Sequence, residues 1–130
     1  MIANKIPVCC FIATLFFANT LHGQSMKFEY TTKTQVYSLT LTEKQDLLVG
    51  SQCFTYGSGN KIDCCTDEPS IRLAKTKEHF YVGTMKSCYD DKPHPILINM
   101  QGKTLLFYFN DNSHVFLEQG KAIQFKKAKK

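Results

Sequence analysis

Apolar residues recur at every second position through much of this chain. Phe28 and Tyr30 alternate with Lys27, Glu29 and Thr31, and Tyr37, Leu39 and Leu41 alternate with Ser38, Thr40 and Thr42. A period of two puts one set of side chains on each face of an extended strand, so both segments predict half-buried β-strands. Leu47 to Tyr56 reads as a third strand, bent at Gly50-Ser51, and Gly57-Ser58-Gly59-Asn60 reads as a turn. Ile71 to Ala74 and Phe80 to Met85 predict two shorter strands. The one helical turn expected lies over Thr42 to Leu48, where Thr42 and Gln45 have the spacing of a capping box.

The C-terminal third carries the clearest pattern. Gln101-Gly102 reads as a two-residue turn that sets Met100 opposite Lys103, Ile98 opposite Leu105 and Ile96 opposite Phe107. Asn110-Asp111-Asn112 then turns the chain into a strand over His114 to Glu118. Gln119-Gly120 turns it back, with Glu118 facing Lys121, Phe116 facing Ile123 and His114 facing Phe125. The result is a four-stranded meander. Leu97, Leu106 and Tyr108 fall on the face opposite Ile98 and Phe107, so this hairpin is apolar on both sides. Central strands of a sandwich or barrel have that property, and so does a sheet with one face against a partner. With no segment long enough for a βαβ crossover, the expected fold is all-β, a small antiparallel barrel or sandwich of about eight strands.

The first 23 residues do not join this pattern. Lys5 precedes an unbroken run of apolar and small residues from Val8 to Phe17, and Leu21-His22-Gly23 ends it with a small residue before Gln24. The order basic, apolar, small is that of a cleaved export signal, and the run falls short of the roughly 20 apolar residues that span a bilayer. The expected organisation is a signal peptide over 1–23, a single β domain over 24–125 and a basic tail over 126–130. No later segment is apolar enough to insert stably in a membrane.

An exported chain meets an oxidising compartment, where an even cysteine count reads as disulfides. Four cysteines remain after cleavage: Cys53, Cys64, Cys65 and Cys88. Adjacent cysteines close only a strained ring, so Cys64 and Cys65 should reach different partners. Two pairings satisfy this: Cys53 with Cys64 and Cys65 with Cys88, or Cys53 with Cys65 and Cys64 with Cys88. Neither a Cys-x-x-Cys redox pair nor zinc-ligand spacing is present, and no metal or cofactor is expected.

Charge adds less than its total suggests. Lys and Arg number 16 against 11 Asp and Glu, a net of +5. Without Lys5 and the five lysines from 121 onward, ten basic residues face eleven acidic ones. The basicity is therefore a terminal cluster, and with Arg72 as the sole arginine and no interleaved aromatics, nucleic-acid binding is not expected.

Chemistry-bearing residues are sparse. Ser58 lacks the Gly-x-Ser-x-Gly elbow, and no phosphate loop is present. His79, His94 and His114, with Glu78, Asp91 or Glu118 as orienting acids, would suit ribonuclease-like acid–base cleavage, but no spacing selects them. The segment Tyr89 to Pro95, tied at Cys88 and stiffened by Pro93 and Pro95, reads as an exposed loop presenting Tyr89, Asp90, Asp91 and His94, with Tyr56 and the turn to Asn60 beside it. These features point to a secreted or periplasmic, non-enzymatic binding protein that recognises or inhibits another protein. The alternatives are a small secreted hydrolase and a barrel that holds a small apolar ligand.

Overall fold

The computed structural model describes residues 23–65, 69–88, 91–109 and 121–129. The expected signal segment, except Gly23, and the expected strand over His114 to Glu118 lie outside them. The described chain forms nine strands: β1 (Ser25–Thr31), β2 (Val36–Lys44), β3 (Leu47–Tyr56), β4 (Lys61–Cys64), β5 (Ile71–Lys77), β6 (Phe80–Lys86), β7 (Pro93–Gln101), β8 (Thr104–Phe109) and β9 (Ile123–Lys127). Each strand pairs antiparallel with its sequence neighbour around a ring, with β3 passing directly to β5, and β9 returns to β1. Eight strands thereby close a barrel. Of the two architectures compatible with the alternation, the barrel is the one formed. Closure removes the free edges that an open sheet would expose. The additional strand, β4, continues alongside the second half of β3, with Cys53 opposite Cys64 and Tyr56 opposite Lys61.

Inward positions are mostly apolar, in keeping with the period of two. Phe28, Leu39, Leu41, Leu48, Phe54, Ile71, Ile98, Leu105, Phe107 and Phe125 have no solvent exposure. An eight-stranded barrel encloses just enough space for side chains to fill it. Here aromatic rings do so: β3 and β8 stand on opposite walls, yet Phe54 meets Phe107 edge-on at 6.1 Å between centroids and lies 6.4 Å from Phe125. Leu97, Leu106 and Tyr108, the second apolar face of the C-terminal hairpin, lie on the outer wall and are half-buried.

Three expectations about local structure change. Thr42 to Leu48 forms no helical turn, because β2 runs to Lys44 and returns through Gln45-Asp46 into β3. The β7–β8 turn is Gly102-Lys103, which sets Ile98 opposite Phe107 and Met100 opposite Leu105. Gly102 takes φ +60° as the first turn residue, the place where type II′ hairpins put glycine. Finally, β8 pairs directly with β9, Leu105 opposite Phe125 and Phe107 opposite Ile123, so the edge assigned to a strand at 114–118 is occupied. Strand β9 runs through Lys126 and Lys127, which pair with Glu29 and Phe28.

Two glycines are steric requirements of the closed wall. A Cβ on Gly50 would lie 1.9 Å from the Thr40 carbonyl oxygen, and one on Gly83 would lie 2.0 Å from that of Arg72. Both occur inside strands, where glycine permits close backbone approach. Gly83→Ala is expected to destabilise the fold by at least about 2 kcal/mol. His79, by contrast, sits at φ +70° in the Glu78-His79 turn, so His79→Gly should be neutral or stabilising by up to about 1 kcal/mol. Denaturant unfolding of the two variants checks both signs.

Candidate functional site

The two ends of the barrel are built differently. One is made of the two-residue turns Gln45-Asp46, Glu78-His79 and Gly102-Lys103. The other gathers the longer connections, from β3 through β4 to β5, from β6 to β7 and from β8 to β9, and both disulfides. Cys53 bonds Cys64 and Cys65 bonds Cys88, which selects the first of the two possible pairings. Successive strand residues point oppositely. The first bridge therefore joins partly exposed residues across β3 and β4, while Cys65, buried, reaches the β6–β7 connection.

Asp63 organises this end. It lies on the inward side of β4, is buried, and has no signature in the sequence beyond its place one residue before the cysteine pair. Its Oδ2 accepts from the Ser87 hydroxyl at 2.7 Å and its Oδ1 accepts from the Cys88 amide at 2.9 Å. Ser87 N–H also donates to the Lys92 carbonyl at 3.1 Å, and Asp91 N–H donates to that of Ser87 at 2.8 Å. The base of the Ser87–Lys92 connection is thus held by a disulfide and four hydrogen bonds. Beside it, Gln52 donates to the Lys86 carbonyl at 2.8 Å and accepts from the Ser70 hydroxyl. Gln52 was readable in principle, as the polar break in an inward row of Leu48, Gly50, Phe54 and Tyr56.

The expected binding residues separate into three groups. Tyr89 and Asp90 lie outside the described residues. Asp91 is exposed at φ +60° and its carboxylate lies 2.8 Å from the Lys86 ammonium. Both side chains are mostly solvated, so the pair stabilises the fold by less than about 1 kcal/mol. His94 and Tyr56 do not belong to an exposed loop. His94 is the second residue of β7, opposite Met85 and 1% exposed, and Tyr56 closes β3 at 5%. The flanking prolines extend the strand, and its alternation turns His94 inward.

The histidines do not converge. His79 is at the tight-turn end beside Glu78, with its Nε2 3.5 Å from the carboxylate, while His94 is inside the other end, and His114 lies outside the described residues. Asp63, Cys65 and Cys88 place ligand-type atoms within 4.8 Å of one another. The two sulfurs are bonded to each other and offer no thiolate to a metal.

Tyrosines line the interior. Tyr37 packs on Tyr30 at 5.4 Å, Phe54 at 4.8 Å and Tyr56 at 5.0 Å. Burial raises the Tyr37 and Tyr56 hydroxyls well above the usual tyrosine range, with Tyr30 adding to the first and Tyr37 and Asp63 to the second. At the opposite end Tyr81 donates to Glu43, and burial followed by the Glu43 hydrogen bond and the charges of Glu43 and Asp46 pushes it up to about 12. No known protein family, curated protein or solved structure matches this chain.

Two predictions follow from these groups. Asp63→Ala leaves the Cys88 amide and Ser87 hydroxyl without their acceptor, so it should cost about 1–3 kcal/mol and increase hydrogen exchange at Cys88. Unfolded tyrosines ionise near pH 10, whereas Tyr37, Tyr56 and Tyr81 hold their protons in the fold. Stability should be fully present below about pH 10 and fall as the pH rises toward 12 and above, by at most about 1.4 kcal/mol per pH unit per tyrosine. Tyr37→Phe should remove one share of that slope. Its hydroxyl has no hydrogen-bond partner among the described residues, so the variant should be no less stable at neutral pH. Urea unfolding between pH 7 and 11.5 reads both effects.

Proposed function

We propose that this chain is an exported binding protein that recognises another protein and blocks the surface it covers, with the clamped barrel end as its contact region. The observation that supports this most directly is the fastening of the Ser87–Lys92 connection by Cys65–Cys88 and by Asp63. A connection held in place before it meets a partner loses less ordering entropy on binding, roughly 0.5–1.5 kcal/mol for each side chain already restrained. Binding residues are commonly carried on such connections above a rigid scaffold.

The surface around the clamp has the composition of an interface. Val36, Thr55 and Ile62 form one outward cross-strand row at this end, with Val36 50% and Ile62 59% exposed. Lys61 adjoins Ile62 on β4, and Asp91 and Lys92 are exposed in the β6–β7 connection at the same end. An apolar centre with a charged rim is the usual arrangement where proteins dock. Two disulfides fit a secreted or periplasmic location, in keeping with the N-terminal signal pattern. No helix among the described residues is long and apolar enough to cross a membrane. The rings that meet across the barrel at Phe54 and Phe107 weigh against an apolar ligand at that level. The separation of His79 from His94 weighs against a catalytic pair made from those two.

The test is affinity capture with the purified, oxidised protein from the fluid of its own compartment, comparing the wild type with Ile62→Asp combined with Asp91→Lys. A specific partner should be lost at least about tenfold with the variant while its thermal midpoint stays within about 2 °C. Equal capture by both proteins would remove the clamped end from the contact region. Turnover of RNA or an ester that is abolished by His94→Ala would replace the binding reading with an enzymatic one.

A further inference from the structure

The outer wall of the barrel is not uniform. On β1, β2 and β9 the outward residues beyond Val36 at the clamped end include Lys27, Glu29, Ser38, Thr40 and Lys126, all polar. On β3, β5 and β6 the pairing sets Leu47 beside Ala74 and Ala74 beside Val82 in one row across the strands. Leu47 is 51% exposed and Val82 42%. Together with Val49, Leu73 and Arg72 they line an open groove of about 380 Å3. Arg72 is exposed and makes no ion pair among the described residues, and the same holds for Asp46 in the β2–β3 turn.

We propose that this wall is a homodimer interface, occupied by the same wall of a second copy of the chain. The argument is self-complementarity. Along the strand direction Arg72 lies two residues beyond Ala74 toward the clamped end, and Asp46 lies one residue before Leu47 at the opposite end. The apolar row is therefore flanked by Arg72 on one side and Asp46 on the other, neither of them ion-paired among the described residues. A twofold axis running along the row reverses the strand direction of the second copy. It stacks Leu47, Ala74 and Val82 on their own counterparts and brings each Arg72 to the side where the other copy carries Asp46. An isologous contact repeats each pairing twice. Arginine suits the position because its guanidinium grips a carboxylate through two parallel hydrogen bonds.

The curvature of the barrel sets the strength. Two convex walls touch along a strip, so the contact involves mainly β3, β5 and β6, while Leu97 and Tyr108, which continue the row on β7 and β8, bend away. Such an interface falls at the low end of the size range, below about 1,200 Å2 in total, where association is weak and concentration-dependent. The groove is too open to enclose a small apolar ligand, which needs roughly 70–90% of its surface covered. A second copy covers the row without that requirement. This surface is distinct from the clamped end, and its occupancy does not depend on the identity of any partner there.

Sedimentation equilibrium of the purified, oxidised protein from about 5 to 500 µM tests the inference. A monomer–dimer equilibrium is expected, and Val82→Asp should weaken it at least about tenfold while circular dichroism and the thermal midpoint show an intact fold. Arg72→Asp alone and Asp46→Arg alone should each weaken it, and the two together should restore dimerisation to within about threefold of wild type. A protein that stays monomeric throughout overturns the proposal. So does a dimer indifferent to Val82→Asp, or a double variant no better than the single ones.

Discussion

Closure of the sheet is the constraint on which the rest of this structure depends. Strand β9 must lie between β8 and β1, and it holds β1 through the pairs Phe28 with Lys127 and Glu29 with Lys126, followed by the Ala128 amide donating to the Lys27 carbonyl at 2.8 Å. That short seam defines an inside and an outside. Once it forms, alternate residues on eight strands are committed to a space with room for side chains and little else. Phe54, Phe107 and Phe125 meet there from different walls. Without the seam the same residues would line an open sheet with two unpaired edges, and the aromatic contacts between walls would not exist.

The adjacent cysteines use the same distinction. Cys64 and Cys65 are neighbours in sequence but belong to opposite sides of the wall, so each is directed to a different partner. Cys64 staples β4 to β3, and Cys65 crosses to the β6–β7 connection. Asp63, one residue earlier, turns inward with Cys65 and satisfies Ser87 and Cys88. Three consecutive residues thereby fasten one end of the barrel. Among the described residues the opposite end carries no disulfide; it is built of two-residue turns, two of which hold Gln45 and His79 at positive φ, with Tyr81 hydrogen-bonded to Glu43. This division of construction is why the clamped end is the place proposed for partner recognition, while the apolar wall of β3, β5 and β6 is proposed for self-association.

Much of this organisation was legible along the chain. Alternation marked β1, β2, β3 and β5 to β8, and it identified Ile98 and Phe107 as one face of their hairpin and Leu97, Leu106 and Tyr108 as the other. The cysteine spacing narrowed the bridges to two pairings. Turn positions were harder. At Gly102 the same glycine suits either position of a two-residue turn, and the choice moved the partner of Ile98 from Leu105 to Phe107 while keeping its face. Prolines beside His94 read as a loop, yet an extended φ serves a strand equally well at its first residues.

The sequence by itself determined strand periodicity, the even set of cysteines and the apolar residues available for a core, because these follow from local chemistry and a repeat of two. Only the tertiary structure decided that the sheet closes as a barrel, that Cys53 takes Cys64, that Asp63 and Gln52 become buried hydrogen-bonding centres, and that His94 faces inward. Periodicity separates the two faces of a strand without saying which is inside. That assignment comes from pairings between residues far apart in sequence, above all the return of β9 to β1, and no local pattern encodes the partner across a closed wall.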